Sequence, residues 1–302
     1  MEQIEKLIEQ GKAWEAIHNI GQFMREKKES LSQDQWMEFI HKDIHNSKIQ
    51  EFCHLCPFTR RNYEKPRGYS GDAITLDYIY GIPGILDHSK LDIIAEEVFR
   101  YAVGTSATRA VRYRRKRASQ YLDDACKQYE KSTNIFSVAC GHLREVELSR
   151  EIQKGNFASF IALDQDQKSL KLVEECYGRY GVSTLNDSIK NLITGQRTFK
   201  NNSFQLIYSL GLYDYLQQEY ANLLTSRLFK YLAPGGRMVL ANFLPNIPYI
   251  GYMEALMDWW LIYRSETEMQ TLVTGIKQHI QGSHLFRDPD ENIVFMEIIK
   301  KV

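Results

Sequence analysis

Ser137-Val-Ala-Cys-Gly-His-Leu-Arg-Glu145 joins an apolar run to a polar turn, and the fold is read outward from it. The run Asn134–Ala139 has the length and composition of a short buried strand. Gly141 then lets a ligand approach the backbone with no Cβ in the way. Leu143–Gln153 reads as a helix and Ala158–Asp164 as a second strand, ending in an acid. The alternation continues with helix Gln167–Arg179, strand Val182–Leu185, a short helix near Ile189–Ile193, strand Phe204–Ser209, helix Glu219–Leu232 and strand Arg237–Phe243. Strands separated by helices imply right-handed crossovers and a mostly parallel sheet. The end of the chain breaks that rule. Only the turn Asp288-Pro-Asp-Glu-Asn292 separates Ser283–Arg287 from Ile293–Lys300, so the sheet should finish on an antiparallel hairpin. The expected class is α/β.

The N-terminal part is of another kind. Ser32-Gln33-Asp34-Gln35 fits a capping box, in which side chains satisfy the first free amides of a helix. Trp36, Phe39, Ile40 and Ile44 follow at helical spacing and predict a buried stripe. Further helices are expected around Leu91–Phe99 and from about Ser106 to Tyr129. Between them lies Thr59-Arg-Arg-Asn-Tyr-Glu-Lys-Pro-Arg-Gly-Tyr-Ser-Gly-Asp72, broken by Pro66, Gly68 and Gly71. Such a loop is either a solvated connection or a functional segment on a rigid scaffold. These patterns predict a helical region over 1–104 and a sheet domain over 105–302.

Composition narrows the classes. The 302 residues carry 38 Lys and Arg against 38 Asp and Glu, with a pI of about 7.1. That balance argues against a nucleic-acid coat or a polybasic membrane binder. No apolar run approaches the roughly 18–20 residues of a membrane helix. Met-Glu-Gln-Ile-Glu-Lys at the N-terminus has no secretory hydrophobic region. With five cysteines, an odd number, reduced thiols and a cytoplasmic location are expected. Cys53-His-Leu-Cys56 has no second Cys-x-x-Cys to complete a closed zinc site, so no metal is expected.

An α/β sheet binds ligands beyond the carboxyl ends of its strands. Asp164 stands there, and its two oxygens could accept from both hydroxyls of a ribose; the bland alternative is a strand-end helix cap. A dinucleotide pyrophosphate favours a full Gly-x-Gly-x-x-Gly turn and a helix N-terminus. Here only Gly141 is present, among Cys, His, Leu, Arg and Glu. S-adenosylmethionine (SAM) has no phosphate to cradle, and an acid in the loop does not repel its sulfonium. Asn186-Asp187-Ser188 after the third strand could meet an adenine edge, or cap a helix.

Val138-Ala-Cys-Gly141, Ala162-Leu-Asp164, Leu185-Asn-Asp-Ser188, Phe204-Gln-Leu-Ile-Tyr-Ser209, Ala233-Pro-Gly-Gly236 and the terminal hairpin together resemble the class I SAM-dependent methyltransferases over about residues 105–302. The first motif departs from that family, with one glycine in place of the usual two or three. Arg61–Asp72, Leu76-Asp-Tyr-Ile-Tyr80 and Gly211-Leu-Tyr-Asp-Tyr-Leu216 look like a bacterial subgroup with a helical N-terminal extension, which includes carboxyl methyltransferases of 3-hydroxy fatty acids.

The resemblance implies a Rossmann-like sheet that binds SAM and its product S-adenosylhomocysteine (SAH). It implies cofactor contacts from Tyr113, Cys140, Gly141, Glu145, Asp164, Gln165, Asp187, Ser188 and Ser209. Cys140, Gly141 and Glu145 would line the methionine part, and Tyr113 could reach its carboxylate. Tyr69 and Asp72 would act as lid or acceptor contacts and, with Tyr213, as the catalytic candidates. Asp214, Tyr215, Asn242 and Phe243 would face the acceptor. Tyr213 and its neighbours could equally be packed core. Arg109, Arg112, Arg114, Arg115, Lys116 and Arg117 form a basic run that a solvated helix face would explain. The expected acceptor is a small, partly apolar molecule, methylated on a carboxylate or another oxygen. An RNA or protein methyltransferase, or a non-catalytic nucleotide binder of the same fold, is the alternative; Leu-Gly-Leu-Tyr after the fourth strand lacks an amino-methylating Asn/Asp-Pro-Pro-Tyr pattern.

Overall fold

The computed structural model describes residues 1–302. It divides into two compact units, Met1–Arg112 with Asn246–Trp260, and Tyr113–Pro245 with Leu261–Val302. The division at Arg112 falls inside the helix Ser106–Tyr129. No helix is long and apolar enough to cross a membrane.

The second unit holds a seven-stranded sheet: β1 Asn134–Val138, β2 Ser159–Asp164, β3 Val182–Asn186, β4 Phe204–Ser209, β5 Leu232–Phe243, β6 Ile280–Arg287 and β7 Ile293–Lys300. The strand order is β3-β2-β1-β4-β5-β7-β6. The first five strands run parallel, and β7 lies antiparallel between β5 and β6. The chain moves outward from β1 to β3, then returns to place β4 on the other side of β1. That reversal is the switch point at which a crevice opens. Phe136, Val138, Leu163, Ile207, Leu240 and Met296 are buried in the core around the sheet, where Leu224 and Leu228 of the helix Gln218–Tyr231 pack.

One expected helix is absent. Over 143–153 the chain forms a 3-10 turn, Arg144–Leu148, and then a single α-turn, Arg150–Gln153. Leu143 is left-handed (φ 50°), which breaks any continuous helix from the loop. Ser149 restarts it, its hydroxyl accepting from the Ile152 amide. The basic run is also not a solvated face. Arg112 donates to the carbonyls of Ile79 and Val103, and Arg115 to the Arg144 carbonyl and the Glu147 carboxylate.

In the first unit the helices Ala13–Ser30, Pro57–Glu64, Ile93–Gly104 and Ile250–Met257 surround a core that includes Ile17, Ile20, Met24, Trp36, Phe58 and Val98. The Ser32–Gln35 capping box is formed. Trp36 is fully buried and donates its indole N–H to Glu254 Oε2 at 2.8 Å, an oxygen that also holds Lys28 Nζ at 2.7 Å. The backbones of two helices nearly touch here: a Cβ on Gly251 would lie 2.3 Å from the Met24 carbonyl oxygen, so only glycine fits.

Candidate active site at the carboxyl ends of the strands

The loop after β1 is built on three left-handed residues in alternation, Ala139 (φ 56°), Gly141 (φ 54°) and Leu143 (φ 50°). Only the middle one is glycine. The backbone therefore takes a glycine-rich path with alanine and leucine at the outer positions, at a cost of about 1–2 kcal/mol each. The loop is held at three points. The Cys140 amide donates to the Leu163 carbonyl at 3.0 Å, the Leu143 amide to the Cys140 carbonyl at 3.0 Å, and the Gly141 amide to Asp164 Oδ2 at 2.8 Å.

Asp164 ends β2 and is buried. Its second oxygen accepts from the Asp166 amide at 2.9 Å. Each oxygen has a further lone pair, so the carboxylate can take two more donors. Burial pushes its pKa up, and the amides of Asp166 and Gly141 oppose that shift. Glu145 accepts from the Tyr208 hydroxyl at 2.7 Å. Burial raises Glu145 too, against the Tyr208 bond and the charges of Arg115 and Arg114. The Cys140 thiol is pushed well up by burial and by the charges of Asp164 and Glu145, which disfavours its thiolate.

The next strand end completes this wall. The Asp187 amide donates to the Asp164 carbonyl at 3.1 Å. Asp187 Oδ1 accepts from Asn191 Nδ2 at 2.6 Å, and Oδ2 pairs with Arg197, which holds its carboxyl below the usual range. Ser188 caps the helix Ile189–Thr194. Gln165 is exposed beside them, its carbonyl accepting from Asn186. Ser209 is buried and ties β4 to β1 through the Val138 carbonyl at 2.9 Å. Cys140, Gly141, Glu145, Asp164, Gln165, Asp187, Ser188 and Ser209 thus all belong to the strand ends of this unit. Tyr113 lies further along the sheet, half-buried with its ring edge-on to Phe295 of β7.

The residues expected at the acceptor are placed differently. Tyr213 is fully buried and its hydroxyl bonds Thr225 Oγ1 at 2.9 Å. Asp214 Oδ1 accepts from the Phe243 amide at 2.7 Å, and burial pushes its pKa up to about 6. Asn242 is fully buried, donating to the carbonyls of Phe243 and Ile262 and accepting from Arg264. Phe243 is packed beside it. Asp214 Oδ1 and the Asn242 amide are thus bonded within the protein. Tyr215 alone of the four is exposed.

The organiser of this corner is Arg264, which the sequence did not single out. It is 1% exposed and donates to the Tyr213 carbonyl, Asn242 Oδ1, the Leu216 carbonyl and Gln218 Oε1. Its partners sit in two separate stretches of chain, 213–218 and Asn242, and no local pattern marks it.

Tyr69 and Asp72 belong to the first unit. Asp72 is buried, caps the helix Ala73–Tyr80 through the Thr75 amide, and takes both Nε and Nη2 of Arg61. Both of its oxygens are bonded within the loop and the helix start. Tyr69 is half-buried in the same loop. Cys53 and Cys56 are buried free thiols, and burial raises Cys56 to about 11.

No protein-family model matches the chain, and no curated protein matches it. Solved structures are similar to it in fold. A "possible exported protein" from Bordetella parapertussis aligns over 97% of both chains at 14% identity, with a TM-score of 0.63. The N-methyltransferase NodS from Bradyrhizobium japonicum WM9, in complex with SAH, aligns over 65% of this chain and 88% of its own, at 15% identity and a TM-score of 0.45. Magnesium protoporphyrin IX methyltransferase from Synechocystis PCC 6803, with bound SAH, aligns over 65% and 88%, at 10% and 0.46. The fold itself is the Rossmann-like α/β fold of class I methyltransferases, with its mostly parallel sheet and terminal antiparallel hairpin.

Proposed function

We propose that the chain is a SAM-dependent methyltransferase acting in the cytoplasm on a small, partly apolar molecule, at a carboxylate or another oxygen. The observation that carries this reading is the loop after β1. It bonds to the Asp164 carboxylate and runs into a 3-10 turn instead of a helix. A pyrophosphate would find no regular helix N-terminus there and would meet Glu145. A nucleoside with a cationic sulfonium suits the same acids. Asp164 has lone pairs to spare for ribose hydroxyls, and Glu145 with the Gly141 backbone would flank the amino-acid portion. Asp187 and Ser188 are the nearest candidates for the adenine.

When bound, SAM supplies a methyl group activated by its sulfonium. The chain's part is to hold both reactants in line, which can lower a barrier by about 7–11 kcal/mol. A carboxylate acceptor donates its own lone pair and needs no base. Consistent with this, Tyr213 and Asp72 are both committed to internal hydrogen bonds. The subgroup resemblance of the N-terminal region motivates a 3-hydroxy fatty acid as the first acid to try.

Titration calorimetry of the full chain with SAM, SAH and NAD tests the reading. SAM and SAH should bind and NAD should not, and Asp164→Ala should weaken SAM by ~1.5–3 kcal/mol. Binding of NAD without SAM overturns it. Incubation with labelled SAM and candidate acids should yield a base-labile methyl ester; a methyl on nitrogen, carbon or sulfur would overturn the oxygen acceptor.

A further inference from the structure

Arg114 is the unexplained charge of the second unit. It sits on the helix Ser106–Tyr129 and is only 6% exposed. The other arginines of that run are partnered: Arg109 with the Gly104 carbonyl, Arg112 with two carbonyls, Arg115 with Arg144 and Glu147, and Arg117 with Gln120 and Tyr121. Arg114 makes no hydrogen bond and no ion pair. Its guanidinium lies against the loop that follows β4. A Cβ on Gly211 would stand 3.4 Å from Nη2 and 3.7 Å from Cζ, so a larger side chain there would crowd the group.

Two carboxylates feel its charge, and neither is bonded to it. Glu145 takes the Tyr208 hydroxyl, and Asp214 takes the Phe243 amide. Arg114 draws the pKa of each downward without bonding to either. A guanidinium largely withdrawn from water with no protein acceptor is unfavourable unless a ligand supplies one. Its five N–H donors, in a planar fork, match a carboxylate held through two parallel bonds. Arg114 also stands among the groups already placed at the ends of β1 and β4.

We propose that Arg114 is the carboxylate-binding residue of this site, taking the carboxylate of a reactant through its guanidinium. The inference rests on the methyltransferase reading, which offers two sources of that group: the amino-acid carboxylate of SAM and the carboxylate of an acid acceptor.

The test compares ligands with and without the carboxylate. SAH and 5′-methylthioadenosine share the nucleoside, and only SAH has the amino-acid end. Calorimetry on the full chain with Arg114→Met and Arg114→Lys is read against the wild type. Binding of SAH and methylthioadenosine to the wild type checks the underlying reading first; binding of neither sinks that reading, and this one with it. If Arg114 reads the cofactor, Arg114→Met weakens SAH by about 10- to 100-fold and leaves methylthioadenosine unchanged. Arg114→Lys falls between, because the fork is lost and the charge kept. If Arg114 reads the acceptor, SAH affinity is unchanged, and a 3-hydroxy fatty acid added to the SAH complex binds about 10- to 100-fold more weakly to Arg114→Met. An equal loss for SAH and methylthioadenosine overturns the proposal, because the effect would not follow the carboxylate. So does unchanged SAH affinity with no loss of acid binding.

Discussion

The Tyr208 hydroxyl donates to Glu145 Oε1 at 2.7 Å, joining the end of β4 to the loop after β1. Both groups are desolvated, and burial raises the pKa of each. The bond favours ionised Glu145. Tyr208→Phe therefore leaves a desolvated carboxylate short of its donor and should cost about 1–3 kcal/mol at pH 7. The loss should shrink toward pH 4, as Glu145 takes up a proton and the charge on the acceptor is lost. Urea unfolding of both proteins at the two pH values checks this, and an equal loss at both would remove the charge from the explanation.

Asp214 carries a pH signature of the same origin, burial. Its carboxyl is raised from 3.8 to about 6 by burial. A raised folded pKa contributes stability that is complete below the unfolded value and lost as pH climbs through the folded one. The wild type should thus lose up to about 3 kcal/mol from this group between pH 4 and pH 7. Asp214→Asn keeps an oxygen for the Phe243 amide and titrates nowhere in the window. Its stability should be flatter, and above pH 6.5 it should equal or exceed the wild type in chemical unfolding.

Ala139 holds a conformation that glycine adopts freely. Ala139→Gly removes about 1–2 kcal/mol of steric cost and adds up to ~1 kcal/mol of unfolded-chain entropy. The variant should be as stable as the wild type or up to ~1 kcal/mol more so. A clear fall in melting temperature would mean that the alanine methyl makes a packing contribution.

Arg264 should be far less tolerant. Arg264→Ala strands acceptors at Tyr213, Leu216, Gln218 and Asn242. A loss of several kcal/mol is expected, since each buried acceptor left without its donor costs about 1–3 kcal/mol. Arg264→Lys retains charge but not the fork and should recover only part of it. Both are read by urea unfolding.

The sheet was legible because its signals are local. Phe204–Ser209 and Ile293–Lys300 are apolar runs closed by turn residues, and both strands form with those bounds. The segment after β1 was not legible, because Leu143 is left-handed in spite of its side chain. The same fact explains the apparently degenerate glycine motif, since Ala139 and Leu143 supply backbone geometry that their identities conceal. Asp164 and Gly141 could be paired by reasoning because each ends or follows a strand. The surroundings of Tyr213, Asp214 and Asn242 could not be read, because their partners Thr225, Phe243 and Arg264 are distant in sequence or outside any periodic stretch. Arg114 was visible only as one of a basic run; burial separates it from its neighbours.

The first unit is discontinuous, and this bears on how the protein is made. Residues 246–260 supply the Glu254 carboxylate that receives Trp36 and Lys28, and the Gly251 backbone that meets Met24. During synthesis the earlier residues leave the ribosome without these partners, and at roughly 5–20 residues per second the wait lasts several seconds or more. The nascent helices must meanwhile keep an apolar seam uncovered. This N-terminal unit should therefore reach protease resistance late, after residue 260 has emerged, so that the order of maturation runs against the order of translation.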